Sequence, residues 1–224
     1  MIFRDRAHAG RELAAKLSHY ANQPGVLVLA LPRGGVVVAF EVARALNAQL
    51  DVFLVRKLGV PGQRELALGA IASGGIRVLN EEVLQALPVS EEMIEHIAAA
   101  EQRELERREQ VYRGGRPAPE VRGRTIILVD DGIATGSTMR AAVRALRQQQ
   151  PERVVVATPV APAEACQELA QEADEVVCLD RPEPFYAISQ WYEDFAQTSD
   201  DEVRDLLERA SGARAAGDCP TQAA

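Results

Sequence analysis

The sequence is poor in cysteine and has no long apolar stretch. Its three cysteines, Cys166, Cys178 and Cys219, are odd in number and form no Cys-x-x-Cys pair, which argues against a disulfide framework and against a zinc site. No apolar run approaches the roughly 20 residues that a membrane-spanning helix needs. The N-terminal stretch is too charged for a signal peptide. We therefore expect a cytoplasmic protein with no membrane association.

A concentration of positive charge is also lacking. Lysine and arginine number 25 against 33 acidic residues, a formal net charge of −8, and the basic residues are scattered among the acids. Because nucleic-acid binding usually needs a basic patch or stripe, this composition argues against a nucleic-acid partner. With 224 residues, 47% of them hydrophobic, the chain is long enough for one main domain and a small subdomain. We place that domain at residues 1–196, followed by a short helix and a disordered tail at 197–224.

The apolar residues that are present fall into short runs rich in valine, isoleucine and leucine. Such runs, without alternation, are typical of parallel strands buried on both faces. They lie at residues 26–31, 52–55, 125–129, 153–160 and 175–179. Helical patterns alternate with them at 34–47, 137–150 and 162–173. This alternation predicts an α/β fold with a doubly wound, mainly parallel five-stranded sheet flanked by helices.

Three segments depart from the alternation. Residues 59–75 are glycine-rich and weakly periodic, which predicts a mobile flap with Arg64 and Glu65 at its polar tip. Residues 90–113 form a long charged helix that Ser90 is able to cap. Residues 180–196 form a small hood after the last strand. The hood holds much of the scarce aromatic content, and these side chains are as compatible with core or dimer packing as with a platform for a base. They are Phe185, Tyr186, Trp191 and Tyr192.

The most informative motif is the run TIILVDDGIATGST at residues 125–138. A buried strand ends in Asp130 and Asp131, passes through a small-residue loop and enters a helix near Ser137. Free amides at a helix N-terminus attract anions, so residues 135–138 (Thr, Gly, Ser, Thr) suit a phosphate. Two carboxylates beside a phosphate more sensibly accept hydrogen bonds from hydroxyls. A phosphorylated sugar has both groups; the alternative, that the acids merely end a strand and cap a helix, requires only one acid.

The run IILVDDGIATGST resembles the motif with which type I phosphoribosyltransferases bind phosphoribosyl pyrophosphate (PRPP). The resemblance implies that Asp130 and Asp131 hold the ribose 2′- and 3′-hydroxyls. It implies that Ile133 packs against the acceptor base. It also implies that the 5′-phosphate lies on the loop formed by Ala134, Thr135, Gly136, Ser137 and Thr138.

Two further sets of residues fit the same resemblance. The first predicted strand ends in Pro32, Arg33, Gly34 and Gly35. Glycines allow close approach of the backbone to a ligand and Arg33 can neutralise anionic oxygens, so this turn resembles the pyrophosphate loop of the family. Its alternative is a purely structural turn.

The other set is Lys57 and, with less support, its neighbour Arg56, which follow the second predicted strand. Basic residues at the matching position in the family contact pyrophosphate, and the resemblance implies this role for Lys57. The alternative is a solvated strand end.

The resemblance implies a transferase that moves ribose 5-phosphate from PRPP to a small nitrogenous base, releases pyrophosphate and serves nucleobase salvage. It implies Mg²⁺ held mainly by substrate oxygens and water, with no dedicated protein metal site. A non-catalytic PRPP sensor is the alternative. A signalling phosphoacceptor domain would explain the acid pair but not the ATGST run that follows it. The acceptor is not specified by any motif, and a homodimer is compatible with these features.

Overall fold

The computed structural model describes residues 1–60, 63–86 and 89–217. The strands are β1 (Val26–Ala30), β2 (Gln49–Val52), β3 (Val55–Val60), β4 (Gln63–Ala72), β5 (Ile76–Leu79), β6 (Thr125–Val129), β7 (Arg153–Val160) and β8 (Glu175–Asp180). The helices are α1 (Arg6–Lys16), α2 (Gly34–Leu46), α3 (Glu81–Ala86), α4 (Glu91–Arg113), α5 (Ser137–Gln148), α6 (Ala163–Leu169) and α7 (Asp200–Gly217). Short 3-10 helices occur at Ser18–Tyr20 and Ile188–Trp191. None of the helices in these described ranges is long and apolar enough to cross a membrane.

A five-stranded sheet in the order β2-β1-β6-β7-β8 forms the centre of the fold, and all its neighbouring strands pair in parallel. The predicted α/β fold with a parallel five-stranded sheet is thereby confirmed. Strands β1 and β6 are neighbours, with Ala30 opposite Val129 at their carboxyl ends. The loops that leave these two strands therefore start side by side, at the edge where α/β sheets bind ligands.

Helices cover both faces of this sheet. Val28 and Ala30 of β1 point into the layer that contains α1, α2 and α7, whereas Leu27 and Leu29 point into the layer that contains α5 and α6. Because successive side chains of a strand face opposite ways, β1 is buried on both sides and has no need for polar alternation. This explains why a continuous apolar run was a reliable strand signal here.

The region after β2 differs from the prediction. The expected strand at 52–55 is wrong, because β2 ends at Val52 and β3 begins at Val55. Two buried residues, Phe53 and Leu54, connect them, so one apolar run crosses a strand boundary without marking it. Strands β3, β4 and β5 then form a separate antiparallel sheet over most of the segment predicted as a flap. Residues 61–62, and the side chains of Arg64 and Glu65, lie outside the described residues.

Differences at the other elements are smaller. Helix α4 begins after Ser90, whose Oγ accepts a hydrogen bond from the Met93 amide at 3.2 Å, and ends before Gly114, which has a φ of 58°. Helix α6 ends at Leu169, four residues before the predicted end at 173. Helix α7 continues to Gly217, so it is longer than the short helix predicted for residues 197–224. Residues 218–224, including Cys219, lie outside the described residues.

Candidate active site

The loops after β1 and β6 touch each other through two glycines. A Cβ atom on Gly35 would lie 3.0 Å from the Asp130 Cα and 3.0 Å from the Val129 carbonyl oxygen. A Cβ atom on Gly34 would overlap the Asp131 Oδ2 atom. The chain needs glycine at both positions to bring the Pro32–Gly35 turn against the acid pair. The predicted pyrophosphate turn and the predicted ribose acids are therefore in direct contact.

The two acids of this pair lie in different surroundings. The Asp130 Oδ1 atom accepts a hydrogen bond from the Asp131 amide at 2.8 Å. Burial, followed by the adjacent Asp131 carboxylate, raises the pKa of Asp130 well above its ordinary value. The Asp131 Oδ2 atom accepts a hydrogen bond from the Arg6 Nε atom at 2.6 Å. The pair thus combines a carboxyl group that resists ionisation with one that is matched to a cation.

The loop after the acids ends at the start of α5. Gly136 precedes the helix with a φ of 75° and has no side chain that could cap it. The Ser137 amide makes one long contact, of 3.5 Å, with the Thr135 hydroxyl oxygen. Residues 134, 135, 137 and 138 of this loop are exposed. The Thr135 and Ser137 hydroxyl oxygens lie 3.1 Å apart. An uncapped helix N-terminus with exposed hydroxyls beside it suits a phosphate group.

Ile133 is placed differently from the prediction. Its side chain is 3% exposed and belongs to the core layer under α5 and α6, and its amide donates to the Val160 carbonyl at 2.9 Å. The prediction that Ile133 packs against the acceptor base is not supported by this orientation. The path of the loop turns this apolar side chain inward, where it is removed from water.

Lys57 lies within β3 of the antiparallel sheet, and not at the end of a parallel strand as predicted. It lines a cavity of about 440 Å³ that Ser137 and Thr138 also line. Arg56, the preceding residue, faces the other way and pairs with Glu101 of α4. The structure therefore brings Lys57 towards the phosphate loop and takes Arg56 away from it.

Arg33, the cation of the Pro32–Gly35 turn, is about one-third exposed, and its Nη1 atom lies 3.8 Å from the Asp200 Oδ1 atom. Asp200 starts α7 and also accepts a hydrogen bond from the Tyr112 hydroxyl at 2.7 Å. Burial and this contact with Asp200 raise the pKa of Tyr112 to about 12, so the hydroxyl donates at neutral pH. Exposed pairs of this length contribute little to stability, which leaves Arg33 available to a competing anion.

The hood, residues 180–196, closes the other side of the acid pair. Ile188 packs so closely on Gly132 that a Cβ atom there would overlap its side chain. The Tyr192 hydroxyl donates to the Asp131 carbonyl at 2.5 Å. Tyr192 is buried against the Phe3 ring, whereas Tyr186 is 77% exposed. The aromatic side chains of the hood therefore divide: Tyr192 supports the loop and Tyr186 faces solvent.

Arg6 is the residue of this site that the sequence did not reveal. Arg6 lies more than 120 positions before Asp131 in the sequence, and it belongs to a helix that has no recognisable motif. Its side chain is 11% exposed and the Asp131 side chain is 13% exposed. The feature that distinguishes Arg6 is its burial near the start of a polar helix, and burial cannot be predicted from one sequence.

Residues 2–200 match the model of the family described as the phosphoribosyl transferase domain. The chain belongs to this family. The resemblance found in the acid motif is therefore confirmed over nearly the whole chain and not only over thirteen residues.

Individual relatives support the same assignment. Two Mycobacterium tuberculosis proteins, from strains CDC 1551 and H37Rv, are each assigned only provisionally as a phosphoribosyl transferase. They are 47% identical to this chain over 209 residues, which is 93% of this chain and 47% of theirs. The chain thus spans about half the length of these relatives. The crystal structure of TT1426 from Thermus thermophilus is 46% identical, with a TM-score of 0.83, and the match covers 93% of this chain and 99% of TT1426.

Proposed function

We propose that this phosphoribosyl transferase family member binds PRPP and, with Mg²⁺, transfers its ribose 5-phosphate to a nitrogenous base with release of pyrophosphate. The observation that carries the proposal is the direct packing of Gly34 and Gly35 on Asp130 and Asp131, at adjacent ends of two parallel strands. This packing puts a backbone turn suited to pyrophosphate beside acids suited to a sugar.

Each part of PRPP has a chemically matched partner in this arrangement. The ribose hydroxyls would donate to the carboxyl groups of Asp130 and Asp131. The 5′-phosphate would accept from the amides and hydroxyls of residues 134–138, at the uncapped start of α5. The pyrophosphate would lie on the backbone of residues 34–35, with positive charge from Arg33 and Lys57. The exposed Arg33–Asp200 contact would open to allow this.

The transfer step follows from the charges of these groups. A nitrogen lone pair of the base forms a bond to C1 of the ribose, the C1–O bond breaks, and its electron pair leaves on pyrophosphate. The base nitrogen then loses its proton to solvent. Positive charge develops on the sugar ring near the acid pair, while negative charge develops at the leaving group near Arg33 and Lys57. The protein's contribution is to hold both ends and to stabilise these separated charges.

The proposed substrate also accounts for the divalent ion that the proposal includes. Mg²⁺ prefers hard oxygen ligands and retains several waters, and the pyrophosphate and hydroxyl oxygens of PRPP would offer such ligands. The described ranges contain no group of three or more histidine, cysteine, aspartate and glutamate side chains placed to hold a metal. Most of the ligands would therefore be substrate oxygens and water. The ion would neutralise charge on the leaving pyrophosphate.

The proposal is tested by pyrophosphate release from PRPP with Mg²⁺ against a panel of purine, pyrimidine and other nitrogenous bases. We expect release with at least one acceptor, and a loss of about 100-fold or more in the double variant Asp130→Asn/Asp131→Asn. Calorimetric titration of the same proteins with PRPP and Mg²⁺ separates binding from catalysis. Binding without release for any acceptor would favour the PRPP sensor, and absence of binding would reject the proposal. A salvage role, a cytoplasmic location and a homodimer stay predictions.

A further inference from the structure

Arg6 joins three parts of the proposed PRPP site. Its Nε atom donates to Asp131 Oδ2 at 2.6 Å, and its Nη1 atom donates to the Ala196 carbonyl of the hood at 2.7 Å. Its guanidinium carbon lies 3.8 Å from the centre of the Phe195 ring. A Cβ atom on Gly34 would come within 2.7 Å of its Nε atom. One side chain therefore contacts an acid of the pair, the hood and the predicted pyrophosphate turn.

The segment that carries Arg6 is fixed in place. Phe3 is fully buried, its amide donates to the Trp191 carbonyl at 2.8 Å, and its carbonyl accepts from the Glu193 amide at 2.8 Å. Asp5 caps α1 by accepting from the His8 amide at 2.6 Å. Arg6 thus starts a capped helix whose preceding residues pair with the hood. A helix start fixed in this way is suited to holding Asp131 in one position, and is less suited to a contact that forms and breaks.

The charges explain what this support achieves. Two adjacent carboxylates repel each other, and the Asp131 carboxylate contributes to the raised pKa of Asp130. The Arg6 guanidinium acts in the opposite direction and lowers the pKa of Asp130. A planar cation that is held by several partners also restricts the rotation of the acid that it contacts. Burial is the largest cause of the raised pKa of Asp130, and Arg6 opposes the second cause, the repulsion by the Asp131 carboxylate.

We propose that Arg6 is a positioning residue of the PRPP site, which orients Asp131 and supplies the positive charge that allows both acids to accept hydrogen bonds from the ribose hydroxyls. This inference rests on the proposed function. Arg6 would act without touching the ligand, because its Nε atom donates to Asp131 and its Nη1 atom donates to the hood. Its effect would be transmitted through the acid, and it would therefore depend on pH.

The test compares Arg6→Gln and Arg6→Lys with wild type, and uses Arg11→Gln as the matched control. Arg11 lies on the same helix, is exposed, and approaches only Glu41, at 3.8 Å, among the acidic groups of the described residues. We expect Arg6→Gln to raise the KM for PRPP about tenfold at pH 7 with a smaller change in kcat. Because loss of the Arg6 cation would raise the pKa of Asp130 further, the deficit should shrink as the pH increases. Arg6→Lys keeps the charge and should recover part of the loss.

A second measurement separates this inference from the proposed function. The carboxyl carbon of Asp130 can be titrated by ¹³C NMR in ligand-free protein. Arg6→Gln should shift the midpoint of this titration to higher pH, and this result does not require that the protein is able to bind PRPP. A KM ratio between Arg6→Gln and wild type that does not vary with pH, or an unchanged Asp130 titration, would show a merely structural ion pair and overturn the inference. If Arg6→Gln shifts the Asp130 titration but the wild-type protein fails to bind PRPP, the electrostatic link is supported and the proposed function is rejected.

Discussion

The two sheets of this protein contribute to the same candidate site in different ways. In the parallel sheet, β1 is buried at every position and is paired on both sides. In the antiparallel sheet, β5 alternates between half-buried and exposed positions, and within the described part of the chain it is paired on one side only. The parallel sheet carries the acid pair and the Pro32–Gly35 turn. The antiparallel sheet carries Lys57.

The groups that the two sheets contribute differ in how closely they are packed. The acids and the glycine turn touch each other, with no room for a single added methyl group. Lys57, in contrast, is exposed and borders a cavity of about 440 Å³. We infer that sugar recognition depends on close packing in the first sheet, and that charge neutralisation by the second sheet tolerates more variation. Variants at each sheet can break or sharpen this contrast.

The largest effect is expected from adding one methyl group to the first sheet's turn. In Gly34→Ala, the new Cβ would displace Asp131 Oδ2, which is held by Arg6 in a buried pair. We predict a loss of PRPP affinity of about 100-fold or more, because both the turn and the acid must move. Calorimetric titration with PRPP and Mg²⁺ measures this.

The matched control is Gly212→Ala on α7. Apart from the neighbouring backbone of its own helix, no atom of the described residues lies within 4 Å of a Cβ atom at that position, and alanine favours a helix more than glycine does. Affinity should stay at the wild-type value in this control. Wild-type affinity in Gly34→Ala would mean that the contact between the two loops is not needed for binding.

A smaller effect is expected from removing the cation of the second sheet. Lys57→Ala should lower kcat/KM about 10-fold to 100-fold, mainly through weaker stabilisation of the leaving pyrophosphate. Arg56→Ala is the matched control, because this neighbouring cation faces α4 and pairs with Glu101. It should retain kcat/KM to within about threefold. Steady-state pyrophosphate release compares the two, and equal losses would contradict the assignment of Lys57 to the site.

The same contrast explains how much the sequence could predict. Strands such as β1 and β6 are buried on both faces, so their apolar runs, bounded by polar loops, identify them without structural knowledge. The acid motif then locates the loop after β6. The antiparallel sheet has no such signature, since glycines obscure its alternation and an apolar run continues from Val52 to Val55 across a strand boundary.

Residues defined by tertiary contact were beyond the sequence for a different reason. Arg6 meets Asp131 only because the N-terminal segment pairs with the hood, more than 180 positions away. Ile133 belongs to the most recognisable motif, yet the loop directs it into the core. A motif predicts which backbone segment binds, whereas side-chain direction and distant partners depend on the packing of other elements.

The smallest predicted effect concerns stability, and it distinguishes the two sheets in the ligand-free protein. Burial and the Asp131 carboxylate raise the pKa of Asp130 in the folded state. As the pH rises from the ordinary aspartate value, the unfolded chain releases this proton before the folded chain does, so stability is lost. At neutral pH the Asp130 carboxyl group therefore destabilises the fold. Asp130→Asn should raise the free energy of unfolding by about 1 kcal/mol at pH 7.

Urea denaturation of wild type and Asp130→Asn between pH 4 and pH 8 measures this effect. The stabilisation should be largest at pH 7 to 8 and should shrink towards pH 4, where the carboxyl group of the unfolded chain is also protonated. Lys57→Ala serves as the comparison from the second sheet, and it should change stability by less than about 0.5 kcal/mol because Lys57 is exposed. A lower stability of Asp130→Asn at pH 7 would show that the carboxylate, ionised and paired, supports the fold, and that the first sheet's close packing carries no electrostatic cost.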